Sequence, residues 1–219
     1  DMSRFDIECA YVLPWKDHLA DELERSRVST TGVSVTRSDW RWPLRLWRLV
    51  RHGGYDVVHV HSPRPGSVAR LAVGTMRRAD RPTVVATEHN TWATHRWPTR
   101  MLNRLTSRWN DETFAVTAEV AESMSGAAAD RVGVLRHGID VVRVAGARAD
   151  RSDVRAEFGI GADEIVIGTA ANFRAQKDYP NLLRAARLLA DRDVTVRIVA
   201  VGQGPDERMI RRLHEELGL

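Results

Sequence analysis

Short apolar runs of strand length alternate with amphipathic runs of helix length along the 219 residues of this chain. This alternation confines the chain to an α/β architecture. Asp56–Val60, Thr83–Thr87 and Glu164–Ala170 are each mostly apolar, with adjacent rather than alternating apolar residues, the pattern of strands covered on both faces rather than on one. Strands of that kind joined by helices close into a parallel sheet with helices on both sides. The alternation predicts strands at Phe5–Leu13, Gly32–Thr36, Asp56–Val60, Thr83–Thr87, Thr113–Val116 and Arg131–Leu135. Between them it predicts helices at Lys16–Arg25, Pro43–His52, Gly66–Arg78, Trp97–Arg108 and Ala118–Ser125. Pro43 falls in the first turn of its helix, where its missing N–H costs nothing.

Arg136-His-Gly-Ile-Asp140 interrupts the pattern with a glycine turn and leads into a polar segment through Ser152. A domain boundary is expected there, with one Rossmann-like domain over 1–140 and the start of a second over 141–219. The alternation resumes with helices at Asp153–Phe158, Tyr179–Ala190 and Pro205–Leu217 and strands at Glu164–Ala170 and Val194–Val201. Two strands make a poor parallel sheet alone, so the second domain is expected to be truncated and the chain to be a fragment.

Composition removes several function classes. The net charge of +4 is mild, +3 over 1–140 and +1 over 141–219, and argues little for nucleic acid, so no nucleic-acid partner is expected. The single Cys9 excludes an intrachain disulfide and a cysteine zinc cluster. No apolar run reaches the roughly 20 residues of a membrane span, and the first residues lack the pattern of a signal peptide. The chain reads as cytoplasmic.

Candidate chemistry collects at predicted strand C-termini, the edge where open α/β sheets bind ligands. One group is His59-Val-His61-Ser62; alternation points His59 and His61 the same way. A second is Glu88-His89-Asn90. Three readings stay open for the histidines: ligands of a metal, as a metal-dependent hydrolase using His59 and His61 would need; hydrogen-bonding or acid–base groups; or polar residues satisfying strand ends. Glu88 is expected to raise the imidazole pKa of its neighbour His89 or to fix its tautomer. A third group is Asn172-Phe-Arg174-Ala-Gln-Lys177. Lys177 is one of two lysines against 31 arginines, and it lies on a strand-to-helix turn where anions meet a helix N-terminus. The fourth is Gly202-Gln-Gly204, whose glycines let backbone approach a ligand.

Tyr55-Asp-Val-Val-His-Val-His-Ser62, Val84-Val-Ala-Thr-Glu-His-Asn90, His137-Gly-Ile-Asp140, Ile167-Gly-Thr-Ala-Ala-Asn-Phe-Arg-Ala-Gln-Lys177 and Ile198-Val-Ala-Val-Gly-Gln-Gly204 together resemble the retaining glycosyltransferases of family four. The blocks stand in that family's order and cover nearly the whole chain. The resemblance implies a GT-B fold, in which two Rossmann-like domains face each other across a cleft. It implies transfer of a sugar from a nucleotide-sugar donor with retention of anomeric configuration. Lys177 would contact the donor diphosphate. Asn172 occupies a position where the family often has Arg, and Arg174 would take over that charge. Gly202 and Gly204 would line the nucleotide pocket, and His89 would face the donor sugar at the reacting carbon. His59, His61, Ser62, Glu88 and Asn90 are further cleft candidates, and His137–Asp140 matches the interdomain crossover. No cofactor and no metal are implied. A sugar-nucleotide epimerase can share the fold, and a non-catalytic nucleotide-binding module is the alternative function. The family's first Gly-rich loop and its paired glutamates have no counterpart here, so the 219 residues alone are expected to be inactive.

Two segments stand outside these blocks. Trp40–Arg51 and Trp92–Trp109 combine Trp with rows of Arg, and no Asp or Glu occurs between Asp39 and Asp56 or between Glu88 and Asp111. Such helices suit a lipid-linked or anionic acceptor and a peripheral membrane contact. The plain alternative is a helix that buries Trp and Leu against a sheet and exposes Arg.

Overall fold

A computed structural model describes residues 4–14, 17, 19–36, 38–147 and 151–219. The chain divides into two compact units, Asp1–Gly138 and Ile139–Leu219.

In the first unit, β1 (Glu8–Tyr11) and β2 (Ser29–Gly32) form a two-stranded parallel pair connected by α1 (Ala20–Arg25). The predicted start of this helix at Lys16 lies outside the described residues. The second strand precedes the predicted Gly32–Thr36. Its register pairs Glu8 with Ser29 and Tyr11 with Gly32. Beyond Gly32 the chain leaves the strand, and Val33 is buried in the core beside Leu46 and Val50. Gly32 lies close under the Tyr11 ring: a Cβ there would lie 3.2 Å from the Tyr11 hydroxyl.

The main sheet is four-stranded and parallel, in the order β3 (Val57–Val60), β4 (Thr83–Glu88), β5 (Glu112–Ala115), β6 (Val132–Val134). Among the described residues the β1–β2 pair is not hydrogen-bonded into it, so the end-to-end sheet expected from the alternation is interrupted. The connecting helices are α2 (Trp42–His52), α3 (Pro63–Gly74), α4 (Trp97–Thr106) and α5 (Ala118–Glu122). Helix α3 begins at Pro63, three residues before the prediction, because Pro63 and Pro65 both fit a first turn. It stops at Gly74 rather than Arg78. There the Trp109 indole packs so closely that a Cβ would sit 2.8 Å from it. Helix α3 packs between α2 and α4. Val33, Leu46, Val50, Ala69, Ala72, Val73 and Val84 form the larger core, and Trp92, Ala115, Val120 and Met124 a smaller one.

In the second unit, β7 (Ile165–Ala170) and β8 (Val196–Val201) pair in parallel over their whole length. Helices α8 (Tyr179–Ala190) and α9 (Glu207–Glu216) pack on each other. The segment expected to be a polar connector holds a helix, α6 (Val141–Gly146), whose N-cap Asp140 carboxylate accepts from the Arg143 N–H at 2.9 Å. Helix α7 (Arg151–Glu157) follows.

Candidate active site

The C-terminal edge of the main sheet gathers four histidines from three strand ends. His59 lies in β3 and His61 just beyond it; His89 follows β4, and His137 follows β6. His59 Nε2 and the Thr87 hydroxyl share a hydrogen bond at 2.9 Å. His61 Nδ1 and His89 Nε2 share one at 3.1 Å, and His137 Nε2 and His89 Nδ1 another at 3.3 Å. The rings form a continuous row, with centroids 4.1 Å apart for His59–His61, 5.3 Å for His61–His89 and 5.1 Å for the stacked His89–His137. His59 and His61 do point the same way. The participation of His137, 48 residues from His89, was not legible from the blocks, which assign its segment to a crossover.

Desolvation, and then the neighbouring rings, make His59, His61 and His89 reluctant to charge. Desolvation and the other three rings push His61 down to about 4. Desolvation, then His89, lowers His59. His89 is lowered by desolvation and by His137, against which Glu88 acts only weakly in the opposite sense. The expected elevation by Glu88 is present but is outweighed by desolvation and His137. His59, His61 and His89 thus favour the neutral imidazole, which can both donate and accept a hydrogen bond. The row is chained through different ring nitrogens, and among the described residues no three His, Cys, Asp or Glu side chains converge to hold a metal ion.

Glu88 is not on the ligand side. It is 5% exposed, because it shares the face of β4 that carries Val84 and Ala86 into the helical layer. Its carboxylate accepts from Asn103 Nδ2 of α4 at 2.8 Å. The Asn103 Oδ1 accepts in turn from Arg70 of α3 at 2.5 Å, and Arg70 Nε donates to Asn110 Oδ1 at 2.6 Å. Asn110 Nδ2 closes the network on the Thr113 hydroxyl at 3.0 Å. Arg70 is 2% exposed and Asn103 fully buried. Burial pulls Arg70 down to about 10, while the Glu88 carboxylate holds it up. Buried charge is tolerated only when it is opposed and hydrogen-bonded, and here Asn103 bridges the two charges. Sequence reasoning missed this network. Its one signal was Arg70 amid the apolar stretch Val68–Val73. The two residues before His89 are thus fixed from opposite sides, Thr87 by His59 and Glu88 by Asn103. Ser62 is the N-cap of α3, and Asn90 is exposed just past His89.

The candidate residues of the second unit lie on a turn of a different kind. Asn172, Arg174 and Lys177 are exposed. Ala175–Lys177 form a 3-10 turn, and Asp178 in the left-handed region (φ 45°) redirects the chain into α8. Two aromatic residues anchor the turn from below. Phe173 and Tyr179 meet edge-to-face at 4.9 Å, and the Tyr179 hydroxyl donates to the Ala171 carbonyl at 3.2 Å. Gly202 and Gly204 are explained by this packing. A Cβ at Gly202 would lie 2.0 Å from the Ala171 carbonyl oxygen, and one at Gly204 would lie 2.2 Å from that of Phe173. The loops are stitched together by Phe173 N–H to Gln203 O at 3.0 Å and Asp206 N–H to Phe173 O at 3.2 Å. The close approach these glycines permit is backbone to backbone. Among the described residues no ion pair engages Arg174 or Lys177, so both cations stand open at the mouth of a strand–turn–helix.

Comparison with known proteins identifies the family and the fold. The model of Glycosyltransferase Family 4 matches residues 4–143. EpsF of Bacillus subtilis (strain 168), a protein bearing a glycosyltransferase name, is 30% identical over 74% of this chain and 45% of its own length. EpsD of the same organism, also named as a glycosyltransferase, is 25% identical over 94% of this chain and 55% of its own. The chain spans about half the length of these relatives. The crystal structure of a glycosyltransferase from Rickettsia africae ESF-5 superposes with a TM-score of 0.64 at 14% identity, over 92% of this chain and 55% of that one. At that identity the likeness shows the fold alone: α/β and GT-B-like, with Rossmann-like parallel sheets.

Proposed function

This chain belongs to glycosyltransferase family 4, and from that membership we propose that it serves a retaining transfer of a sugar from a nucleotide-sugar to an acceptor. Residues 1–140 are the acceptor-side domain and 141–219 contribute the donor-binding turn. The observation that carries the reading is the placement of His89, held between His61 and His137 at a strand-end edge and backed by a buried polar network. A neutral imidazole so held can bond sugar hydroxyls without repelling the positive charge that builds on the reacting carbon.

Rupture of the sugar–phosphate bond places that positive charge on the sugar and negative charge on the departing nucleotide diphosphate. Lys177 and Arg174 are assigned to the diphosphate. Fixed cations stabilise such leaving groups because they need no reorganisation as the charge develops. Lys offers a point charge and Arg a planar fork, so the two divide the work of meeting a diphosphate. No metal is part of this reading, and transfer should persist in the presence of a chelator. The acceptor is lipid-linked or anionic and is met on the cytoplasmic side. Among the described residues no helix is long and apolar enough to cross a membrane.

The test uses a protein of the relatives' length that carries this sequence. Lys177→Ala should abolish nucleotide-sugar binding in calorimetry, and His89→Ala should leave binding and remove transfer. Unchanged affinity in the Lys177 variant would sink the donor assignment; full turnover in the His89 variant would sink the other.

A further inference from the structure

The two Trp/Arg helices are oriented oppositely. Helix α2 buries Leu46 and Val50 and packs Trp42, Trp47 and Leu49 against the core, as a helix covering a sheet should. Helix α4 is inside out. The residues it buries are polar, Asn103 and Thr106, and they face inward because Arg70 of α3 requires hydrogen-bond acceptors there. Its apolar residues are left outside: Trp97 is 66% exposed, Leu105 58%, Met101 43% and Leu102 39%. Trp97, Met101 and Leu105 recur every four residues, so they form one stripe, and Leu102 widens it. Arg100 and Arg104, both exposed, run along one margin of the stripe. Arg96 precedes the helix and Arg108, stacked over Trp109 at 4.2 Å, follows it.

We propose that this outward face of α4 docks on an anionic lipid surface. Apolar side chains at the centre and arginines at the margin match a layer whose interior is hydrocarbon and whose headgroups are negative. Arginine can keep its stem along apolar surface while its head reaches a phosphate. A second copy of the chain fits poorly. A two-fold contact would set the arginine row against itself, and no acidic residue lies between Glu88 and Asp111 to relieve it. The proposal stands whether or not the chain transfers sugar.

Vesicle co-sedimentation of the chain tests it, with phosphatidylcholine alone and with phosphatidylcholine mixed equally with phosphatidylglycerol. Binding is expected to the anionic vesicles at low salt, and little to the neutral ones. Arg100→Gln with Arg104→Gln should weaken that binding about 25-fold, roughly fivefold for each arginine near an anionic surface. Trp97→Gln with Leu105→Gln should reduce it as well while leaving the thermal midpoint in place. Should that pair fail to fold, Leu105→Gln alone is read against the arginine pair. No binding to anionic vesicles at low salt would overturn the proposal, as would binding that neither variant changes. A dimer in sedimentation equilibrium that Leu105→Gln dissociates would overturn it in favour of a second copy. Retention on immobilised polyglutamate by a chain that ignores vesicles would do so in favour of an acidic protein.

Discussion

The two edges that carry the candidate ligand residues are built on contrary plans. In the first unit the candidate groups engage one another: His61, His89 and His137 are hydrogen-bonded in series, and a buried polar network of Glu88, Asn103 and Arg70 holds the strand behind them. In the second unit, among the described residues, no ion pair engages the candidate cations. Lys177 and Arg174 extend from a turn whose rigidity comes from backbone packed on backbone, with Gly202 and Gly204 permitting the approach. The difference follows from the charge each edge presents. Neutral rings can be placed side by side and satisfied by each other. Two cations repel, so they are better left open on a support made of uncharged atoms, available to an anion.

Removal of Arg70 should strike the first plan hardest. Arg70→Met keeps the length of the side chain but leaves Asn103 and Asn110 without their donor and Glu88 without its opposing charge. A loss of about 3 kcal/mol is expected in urea unfolding, with amide protection falling first in β4. A loss under about 1 kcal/mol would mean that the network is not what holds the edge. On the second plan, Gly204→Ala forces a Cβ against the Phe173 carbonyl and should cost about 2 kcal/mol. Exchange should quicken in β7 and β8 and leave β3–β6 unchanged. Equal quickening in both units would erase the distinction between the two supports.

The alternation of apolar and amphipathic runs made the strand and helix order legible, because a strand buried on both faces leaves a pattern that depends only on local sequence. Where prediction slipped, a partner distant in sequence is involved. Strand β2 ends at Gly32, after which Val33 is buried beside Leu46 and Val50; α3 ends at Gly74, where Trp109 leaves no room for a Cβ. Likewise the position of His89 at the end of β4 was legible from the apolar run before it, whereas the burial of Glu88 was not. Position beside a candidate says nothing about which face of a strand a side chain takes unless the alternation is followed to its end: Val84, Ala86 and Glu88 point one way, and the chain buried the carboxylate with them. The orientation of α4 was illegible for the same reason, since its cause is a single arginine on another helix.

Acid should separate the two edges more gently. Between pH 6.5 and about 4 the unfolded chain binds a proton at His61 that the folded chain does not. Stability therefore falls as pH falls through that window, and the lowered values of His59 and His89 act with the same sign. The effect is modest because solvent screens an exposed row. It should appear as a thermal midpoint that declines from pH 6.5 towards 4, less steeply in His61→Phe. A decline of equal slope in that variant would assign the acid sensitivity elsewhere.

The smallest effect on stability belongs to the residue with the largest proposed effect on binding. Lys177→Ala removes a side chain that supports nothing beneath it, because the turn is held by Phe173, Tyr179 and the two glycines. Its unfolding free energy should stay within about 0.5 kcal/mol of the parent, as for surface positions free of packing. A drop of 2 kcal/mol or more, roughly the scale of a buried contact, would mean that the cation is part of the support. Loss of nucleotide-sugar binding in that variant could then be a consequence of a collapsed turn. Near-zero cost together with lost binding leaves a ligand contact as the one role for the charge.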